Sequence, residues 1–377
     1  MKIGIVCYPT YGGSGVVATE LGLALAKKGH EVHFITYNQP VRLNALSRNI
    51  HFHEVFVEEY PLFHYQPYEL ALSSKLVAMV KLHDIEILHV HYAIPHAYAA
   101  YMAKQMLKEE GIEIPFVTTL HGTDITLVGS HPNYKSAVEF SINNSDAVTV
   151  VSESLKKDTL RLFNIKKDVK VIYNFIDFEK YDALGGDKCL RGNLADDDER
   201  IITHISNFRP VKRIDDVIDV FYKTQKKIKA QLLMVGDGPE RDSAEKKVMK
   251  LGISDRVNFL GNSVEINKIL CLSDLFLLPS QTESFGLAAL EAMAAKTAVI
   301  SSNSGGLPEV NFNGKTGFLS NVGDTDDMAK NAIFILEEET RLEAFKTNAY
   351  NNAKKFIIDE ILPEYEDVYR MVKKGCC

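Results

Sequence analysis

The chain has only five cysteines, Cys7, Cys189, Cys271, Cys376 and Cys377, and they form neither a paired framework nor a metal-ligand spacing. That argues against a disulfide scaffold and fits the reduced thiols of a cytoplasmic protein. No apolar run approaches the length of a membrane span, and no charged leader with an apolar segment precedes the strand-like Lys2–Cys7. The terminal Cys376-Cys377 pair lacks the C-a-a-X spacing of a lipidation signal, so no membrane partner is expected. Basic residues are in the minority: 43 Lys and Arg against 50 Asp and Glu give a net charge of −7. This argues against a nucleic-acid partner and requires any anion site to be locally basic. What remains is an ordinary globular composition, 46% hydrophobic and 25% charged over 377 residues, enough for two domains with separate cores.

An acid is also missing where one reading needs it. Gly13-Ser-Gly15-Val-Val-Ala18 follows the first strand and opens a helix running to Lys28, which matches a G-x-G-x-x-A dinucleotide fingerprint. The next strand, Glu31–Thr36, ends in Thr36-Tyr37-Asn38, with no carboxylate to hold a ribose. The glycines suit close approach to a phosphate or an acceptor instead.

Apolar segments at His53–Val57, Ile87–His91, Phe116–Leu120, Ala147–Val151 and Val169–Tyr173 alternate with helical stretches around Tyr68–Leu82, His96–Lys108 and Glu153–Phe163. A second alternation follows at Ile201–Ile205, Gln231–Val235, Val257–Leu260, Leu275–Leu278 and Ala298–Ser301. The polar stretch Asp182–Arg200, with Gly185-Gly186, separates them. The pattern predicts an α/β chain of two parallel-sheet domains, residues 1–175 and 176–357, followed by an amphipathic helix, 358–377.

In such sheets the strand ends carry ligand contacts. His89-Val-His-Tyr-Ala-Ile-Pro-His96 offers three histidines, but no Cys or acid at suitable spacing completes a tetrahedral metal site, and no metal is expected there. At Thr118-Thr-Leu-His-Gly-Thr-Asp124, His121 would project from a strand terminus. Ser206-Asn-Phe-Arg-Pro-Val-Lys-Arg213 places three cations within five residues at a strand-to-helix turn. Cations there oppose the helix dipole, a conflict that an anionic ligand would resolve, with Arg209 forking onto phosphate and Lys212 as a mobile charge. Gly236-Asp-Gly-Pro239 leaves room for a nucleobase.

The anchor is Pro279-Ser-Gln-Thr-Glu-Ser-Phe-Gly-Leu-Ala-Ala-Leu-Glu-Ala-Met293. The buried strand Leu275–Leu278 leads into it and a helix Gly286–Ala295 leaves it. Ser284 is placed to cap that helix, and Glu283 and Glu291 bracket an anion site at its start. The string resembles the E-x7-E segment of retaining nucleotide-sugar glycosyltransferases with two facing Rossmann-like domains and a central cleft, the glycosyltransferase B fold.

The resemblance spans nearly the whole chain. It implies that Glu283 lies by the donor sugar, that Glu291 binds the ribose, and that His121 contacts the sugar near the reacting carbon. The family commonly has an arginine where Asn207 stands, so that role would fall to Arg209; Lys212 carries over directly. Cys7-Tyr-Pro, Gly12-Gly-Ser-Gly, His91-Tyr-Ala-Ile-Pro-His, Tyr173-Asn-Phe-Ile-Asp and Ser206-Asn-Phe-Arg resemble the family members that move N-acetylglucosamine from UDP-N-acetylglucosamine to the hydroxyl of L-malate, the first step of bacillithiol biosynthesis. No cofactor is implied.

The expected catalytic set is His121, Lys212, Arg209 and Glu283. Donor contacts are expected from Gly13, Ser206, Asn207, Gly236, Asp237, Ser284, Phe285, Gly286, Leu287 and Glu291. Acceptor contacts are expected from Ser14, Arg42, Tyr92 and Thr119, with Arg42 inferred only from the need for a cation opposite two carboxylates. A sibling transferase with an inositol phosphate or sugar acceptor, a UDP-N-acetylglucosamine epimerase and a non-catalytic nucleotide-sugar sensor stay open, as does homo-oligomerisation.

Overall fold

The structure, a computed structural model, describes residues 1–10, 12–43, 47–58, 64–182, 191–192, 194–263 and 265–375. Gly185-Gly186, Cys189 and the Cys376-Cys377 pair lie outside the described residues. The chain divides into two compact units, Met1–Phe175 with Ile358–Cys377, and Ile176–Ile357.

The first unit is built on a seven-stranded parallel sheet. Its strands are β1 (Lys2–Val6), β2 (Glu31–Thr36), β3 (Ile50–Glu54), β4 (Ile87–His91), β5 (Phe116–Leu120), β6 (Ala147–Val150) and β7 (Val169–Val171), in the order β3-β2-β1-β4-β5-β6-β7. The helices α1 (Gly13–Lys27), α2 (Tyr68–His83), α3 (Tyr98–Glu109), α4 (Pro132–Asn144) and α5 (Glu153–Leu162) make the crossovers. Every residue of β4 and β5 is buried, as expected of central parallel strands covered on both faces. Leu72, Leu76, Met79 and Val80 of α2 pack with Ala99, Ala100, Ala103 and Leu107 of α3 over Ile35, Leu88, Val90 and Phe116. The terminal helix Ile358–Lys373 also belongs to this unit, where the Tyr369 hydroxyl meets His89 Nδ1 at 2.7 Å and Glu366 meets His30 at 2.8 Å.

The second unit carries a six-stranded parallel sheet of β8 (Arg200–Ile205), β9 (Ala230–Val235), β10 (Val257–Gly261), β11 (Leu275–Leu278), β12 (Ala298–Ser302) and β13 (Gly317–Ser320). Its order is β10-β9-β8-β11-β12-β13. Phe208, Val217, Phe221, Leu232, Met234, Leu277, Ile300, Ala332 and Ile335 share one continuous core. Strand order reverses between β1 and β4 in the first sheet and between β8 and β11 in the second. These switch points open crevices at the carboxyl ends of the strands, the ordinary place for a ligand in this architecture.

The expected strand His53–Val57 lies instead at Ile50–Glu54. Register decides this: Val32 pairs with Ile50 and Thr36 with Glu54, so β2 is already spent where Phe56 begins, and that ring is left 76% exposed. The expected strand Val169–Tyr173 stops at Val171, and α4 and β13 are elements that the apolar pattern did not announce.

Candidate active site

At the second switch point, β8 leads into Ser206 and β11 into the loop 279–286. His204, buried on β8, has Nδ1 2.8 Å from the Leu277 carbonyl and Nε2 2.7 Å from Ser206 Oγ. The carbonyl only accepts, so Nδ1 carries the proton and Nε2 accepts from the Ser206 hydroxyl. Burial lowers His204 to about 4, which keeps it in that neutral form. Phe208, fully buried, anchors the next turn, so Asn207 and Arg209 on either side of it are both exposed. Gly236 closes the wall between β8 and β9. Its φ is +118°, and a Cβ there would sit 1.8 Å from the Ser206 carbonyl oxygen. Asp237 is exposed and accepts the Gly238 amide at 2.7 Å.

The Lys212 ammonium bonds the Glu283 carboxylate at 2.5 Å, and Ser280 Oγ donates to the same oxygen at 2.9 Å. Both partners of the ion pair are largely screened, with side chains 20% and 15% exposed. The Glu283 loop is held from several sides. Gln281 N donates to Val211 O, Gly306 N to Glu283 O, and Ser302 and Ser304 hydroxyls to Ser280 and Gln281 carbonyls. Gly305, at φ +61°, would bring a Cβ within 1.9 Å of the Glu283 carbonyl oxygen. A preorganised carboxylate–ammonium pair thus stands where the switch point opens.

Two expectations change here. The helix is Leu287–Ala294, capped by Gly286 at φ +97° with no side-chain cap bond, so Ser284 is not its cap. The three cations are also not a free basic patch. Lys212 is paired with Glu283, and Arg213 forms a fork with Asp216 in the first turn of the helix Ile214–Thr224, its Nε 2.5 Å and its second contact 3.2 Å from the carboxylate. The helix's own acid settles the dipole conflict at Arg213. Among the described residues Arg209 makes no ion pair and is the exposed cation of the three. Phe285 is buried edge-on against Phe356, their ring centres 5.6 Å apart. Leu287 is half-buried, and Glu291, one turn later on the same helix face, is buried.

At the first switch point, Gly13 is the exposed first residue of α1, and Ser14 Oγ receives the Tyr92 hydroxyl at 2.7 Å. Burial raises the Tyr92 phenol well above its ordinary range. Tyr8 lies edge-on to Tyr92, with ring centres 5.2 Å apart, and burial pushes it up to about 12. Both phenols therefore stay protonated donors. Arg42 approaches Glu20 at 3.6 Å. His121 Nε2 is 2.8 Å from His91 Nδ1, and the two rings stack with centres 5.1 Å apart. Burial, then repulsion from His96, lowers His121 to about 3.

Thr119 corrects an expectation. It is 0% exposed, and its hydroxyl is shared between His89 Nε2 at 2.7 Å and Thr149 Oγ1 at 2.6 Å. Pairing across three adjacent strands engages this hydroxyl within the sheet.

Asp124, quoted in its motif without a role, proves central. Buried at 2% exposure, it accepts amides from Ala93 at 2.9 Å, Gly122 at 3.0 Å and His121 at 3.3 Å. It ties the exit of β4 to the exit of β5, and burial raises it to about 6. The sequence cue was an Asp two residues after a strand-end Gly, where it can reach back to backbone amides. Ser280, His204 and Tyr8 had no comparable cue.

A family model described as "Glycosyl transferases group 1" matches residues 188–352, and one described as "Glycosyltransferase Family 4" matches residues 11–180. The N-acetyl-alpha-D-glucosaminyl L-malate synthase of Bacillus anthracis is 47% identical over 370 residues, covering 98% of this chain and 96% of that protein. An uncharacterised glycosyltransferase of Methanocaldococcus jannaschii is 29% identical, with 98% of both chains covered. Among solved structures, a sucrose-phosphate synthase from Thermosynechococcus elongatus superposes with a TM-score of 0.83 at 20% identity, covering 99% of both chains. HepE of Anabaena, in complex with UDP-glucose, superposes with a TM-score of 0.82 at 20% identity, covering 98% of this chain and 99% of that one. At such identities these two bear on the fold alone.

Proposed function

Because the chain belongs to the glycosyltransferases, in the family of the Bacillus anthracis N-acetyl-alpha-D-glucosaminyl L-malate synthase, we propose that it transfers N-acetylglucosamine from UDP-N-acetylglucosamine to the hydroxyl of L-malate. The transfer retains configuration at the anomeric carbon and opens bacillithiol biosynthesis. The observation that carries this reading is the identity of 47% along nearly the whole chain. The described free cysteines, Cys7 and Cys271, fit a cytoplasmic setting.

The donor lies on the second unit. Its diphosphate takes Lys212, Arg209 and the first amides of the helix Leu287–Ala294, which have no partners within the helix. Lys212 arrives prepositioned by Glu283, so little reorganisation is needed as charge grows on the departing UDP. Glu291 accepts from the ribose hydroxyls, the Gly236–Gly238 turn borders the nucleobase, and Glu283 and His121 attend the sugar. As the bond from the anomeric carbon to the phosphate oxygen breaks, the malate hydroxyl attacks from the same face. Its proton passes to the leaving phosphate oxygen, giving UDP and the malate glycoside. Ser14, the phenol of Tyr92, which turns from Ser14 to the acceptor on binding, and Arg42 supply the donors that two carboxylates require.

Incubating the protein with UDP-N-acetylglucosamine and L-malate should release UDP and yield one α-linked malate glycoside, read by mass and by the anomeric proton coupling. Free sugar, an epimerised nucleotide sugar, or faster turnover with an inositol phosphate would each overturn the proposal.

A further inference from the structure

Away from both switch points, at the β3 edge of the first sheet, four histidines converge. His33 on β2 pairs in register with His51 on β3, and Ile35 pairs with His53, so Glu31, His33, His51 and His53 share one face of the sheet. His83, the last residue of α2, closes over them. The His33 ring is fully buried, and its centre lies 4.7 Å from His83 and 5.2 Å from His53. None of these residues serves the transfer reaction described above.

We propose that His33, His53 and His83 form a binding site for one divalent late first-row cation, zinc foremost, with Glu31 orienting His33 from behind. One ligand nitrogen from each of the three imidazoles lies within 4.8 Å of the other two. The donor set is right for this class of ion: neutral imidazoles suit zinc, copper and nickel, whereas magnesium and calcium demand oxygen. Three protein ligands leave a fourth position for solvent, the usual make-up of an open zinc site.

The hydrogen bonds fix which atoms face the ion. His33 Nε2 lies 3.1 Å from Glu31 Oε1. An ionised carboxylate only accepts, so Nε2 carries the proton and Nδ1 presents its lone pair. Nδ1 lies 2.9 Å from His53 Nε2, which holds the proton between them. Metal-ligating histidines characteristically give their other ring N–H to a carboxylate, as His33 does here. Binding would shift the His53 proton from Nε2 to Nδ1, freeing Nε2 as a ligand with no net proton release. Two nitrogens on one tetrahedral ion stand roughly 3.3 Å apart for bonds of about 2.0 Å, so the His33–His53 pair must open by only a few tenths of an ångström. The ion would join the edge strand β3 and the end of α2 to β2.

Tag-free full-length protein, stripped with chelator and desalted, should take up one equivalent of Zn²⁺ per chain in competition with a chromophoric chelator. Co²⁺ should give the visible absorption of a four-coordinate site, and Mg²⁺ should not compete. Affinity should fall about 10–100-fold in His53→Gln and in His83→Gln and about 10-fold in Glu31→Gln, while His51→Gln stays within a few-fold of the parent. Circular dichroism in chelator confirms that each variant folds; if His53→Gln does not, His83→Gln at the half-buried helix end carries the test. Binding no tighter in the parent than in the His53→Gln, His83→Gln double variant would overturn the proposal. Loss of binding in His51→Gln with His83→Gln unchanged would assign the ion to Glu31, His33 and His51, which also converge within 4.8 Å, and would overturn the ligand set.

Discussion

In the proposed reaction, Lys212 would serve two states with one side chain. In the free protein its charge is balanced by Glu283, and negative charge developing on the leaving diphosphate would draw on that same ammonium. An interaction stronger in the transition state than in the ground state acts on kcat. Lys212→Ala should therefore lower kcat by ~10²–10³ and leave the donor KM within a few-fold; a raised KM at unchanged kcat would remove this role. Asp124 carries a different prediction. Its carboxyl titrates near 3.8 when free and is raised to about 6 in the fold. The folded chain then holds more protons between those values, so stability from this group is present below pH 3.8 and is lost as pH rises through about 6. Asp124→Asn stays neutral throughout. Urea unfolding from pH 4 to 7 should show the variant gaining on the parent by up to ~3 kcal/mol at about 1.36 kcal/mol per unit, and a flat difference would mean that the three amide bonds fully offset burial. Thr119 marks the limit of reading at this scale. Its place at the end of β5 is legible from the apolar run, but the bonds to His89 and Thr149 depend on which strands lie alongside.

At the scale of the element, turns matter more than the strands they join. Gly236 and Gly252 both have positive φ, +118° and +66°, yet only Gly236 is crowded; a Cβ at Gly252 would meet nothing within 4 Å. Gly252→Ala should therefore show the left-handed penalty alone, about 1–2 kcal/mol. Gly236→Ala must also force the β8 and β9 exits apart, so it should be destabilised by about 3 kcal/mol or more and bind UDP at least 10-fold more weakly by calorimetry. Equal losses in the two variants would show that the close approach to Ser206 contributes nothing. The strands β2, β4, β5 and β11 were legible to the residue because each is an apolar run bounded by turn residues. β3 was not. It is an edge strand whose polar face, His51 and His53, breaks the run, while the apolar Val55-Phe56-Val57 beyond it lies where β2 has ended. The Ser284 cap failed for a related reason. Cap preferences locate a helix start to within a turn, whereas here Gly286 takes the position with a backbone that serine adopts poorly.

For the whole molecule, the two units repeat one architecture on unrelated sequences, and the candidate residues divide between them. Lys212, Glu283 and Glu291 belong to Ile176–Ile357, while Ser14, Arg42 and Tyr92 belong to the other unit. If the proposed roles hold, donor and acceptor affinities should respond to separate sets of substitutions. Glu291→Gln weakens a charge-assisted bond to the ribose, worth about 1.5–3 kcal/mol, and should raise the UDP dissociation constant at least 10-fold with the malate KM nearly unchanged. Tyr92→Phe and Arg42→Ala should do the reverse, raising the malate KM about 10-fold or more and leaving UDP affinity within two-fold. Arg42 also faces Glu20, so Glu20→Gln is the companion that separates loss of the acceptor's cation from loss of an internal pair; it should retain the parental malate KM. A site built to bind two carboxylates leaves buried donors unpaired when one is missing, and that penalty exceeds the value of the lost contact. Lactate should therefore be a far poorer acceptor than malate, and the Arg42→Ala variant should narrow the gap by losing malate rather than by gaining lactate. Equal use of lactate and malate by the parent protein, or a UDP affinity that follows Tyr92→Phe, would place acceptor recognition elsewhere in the chain.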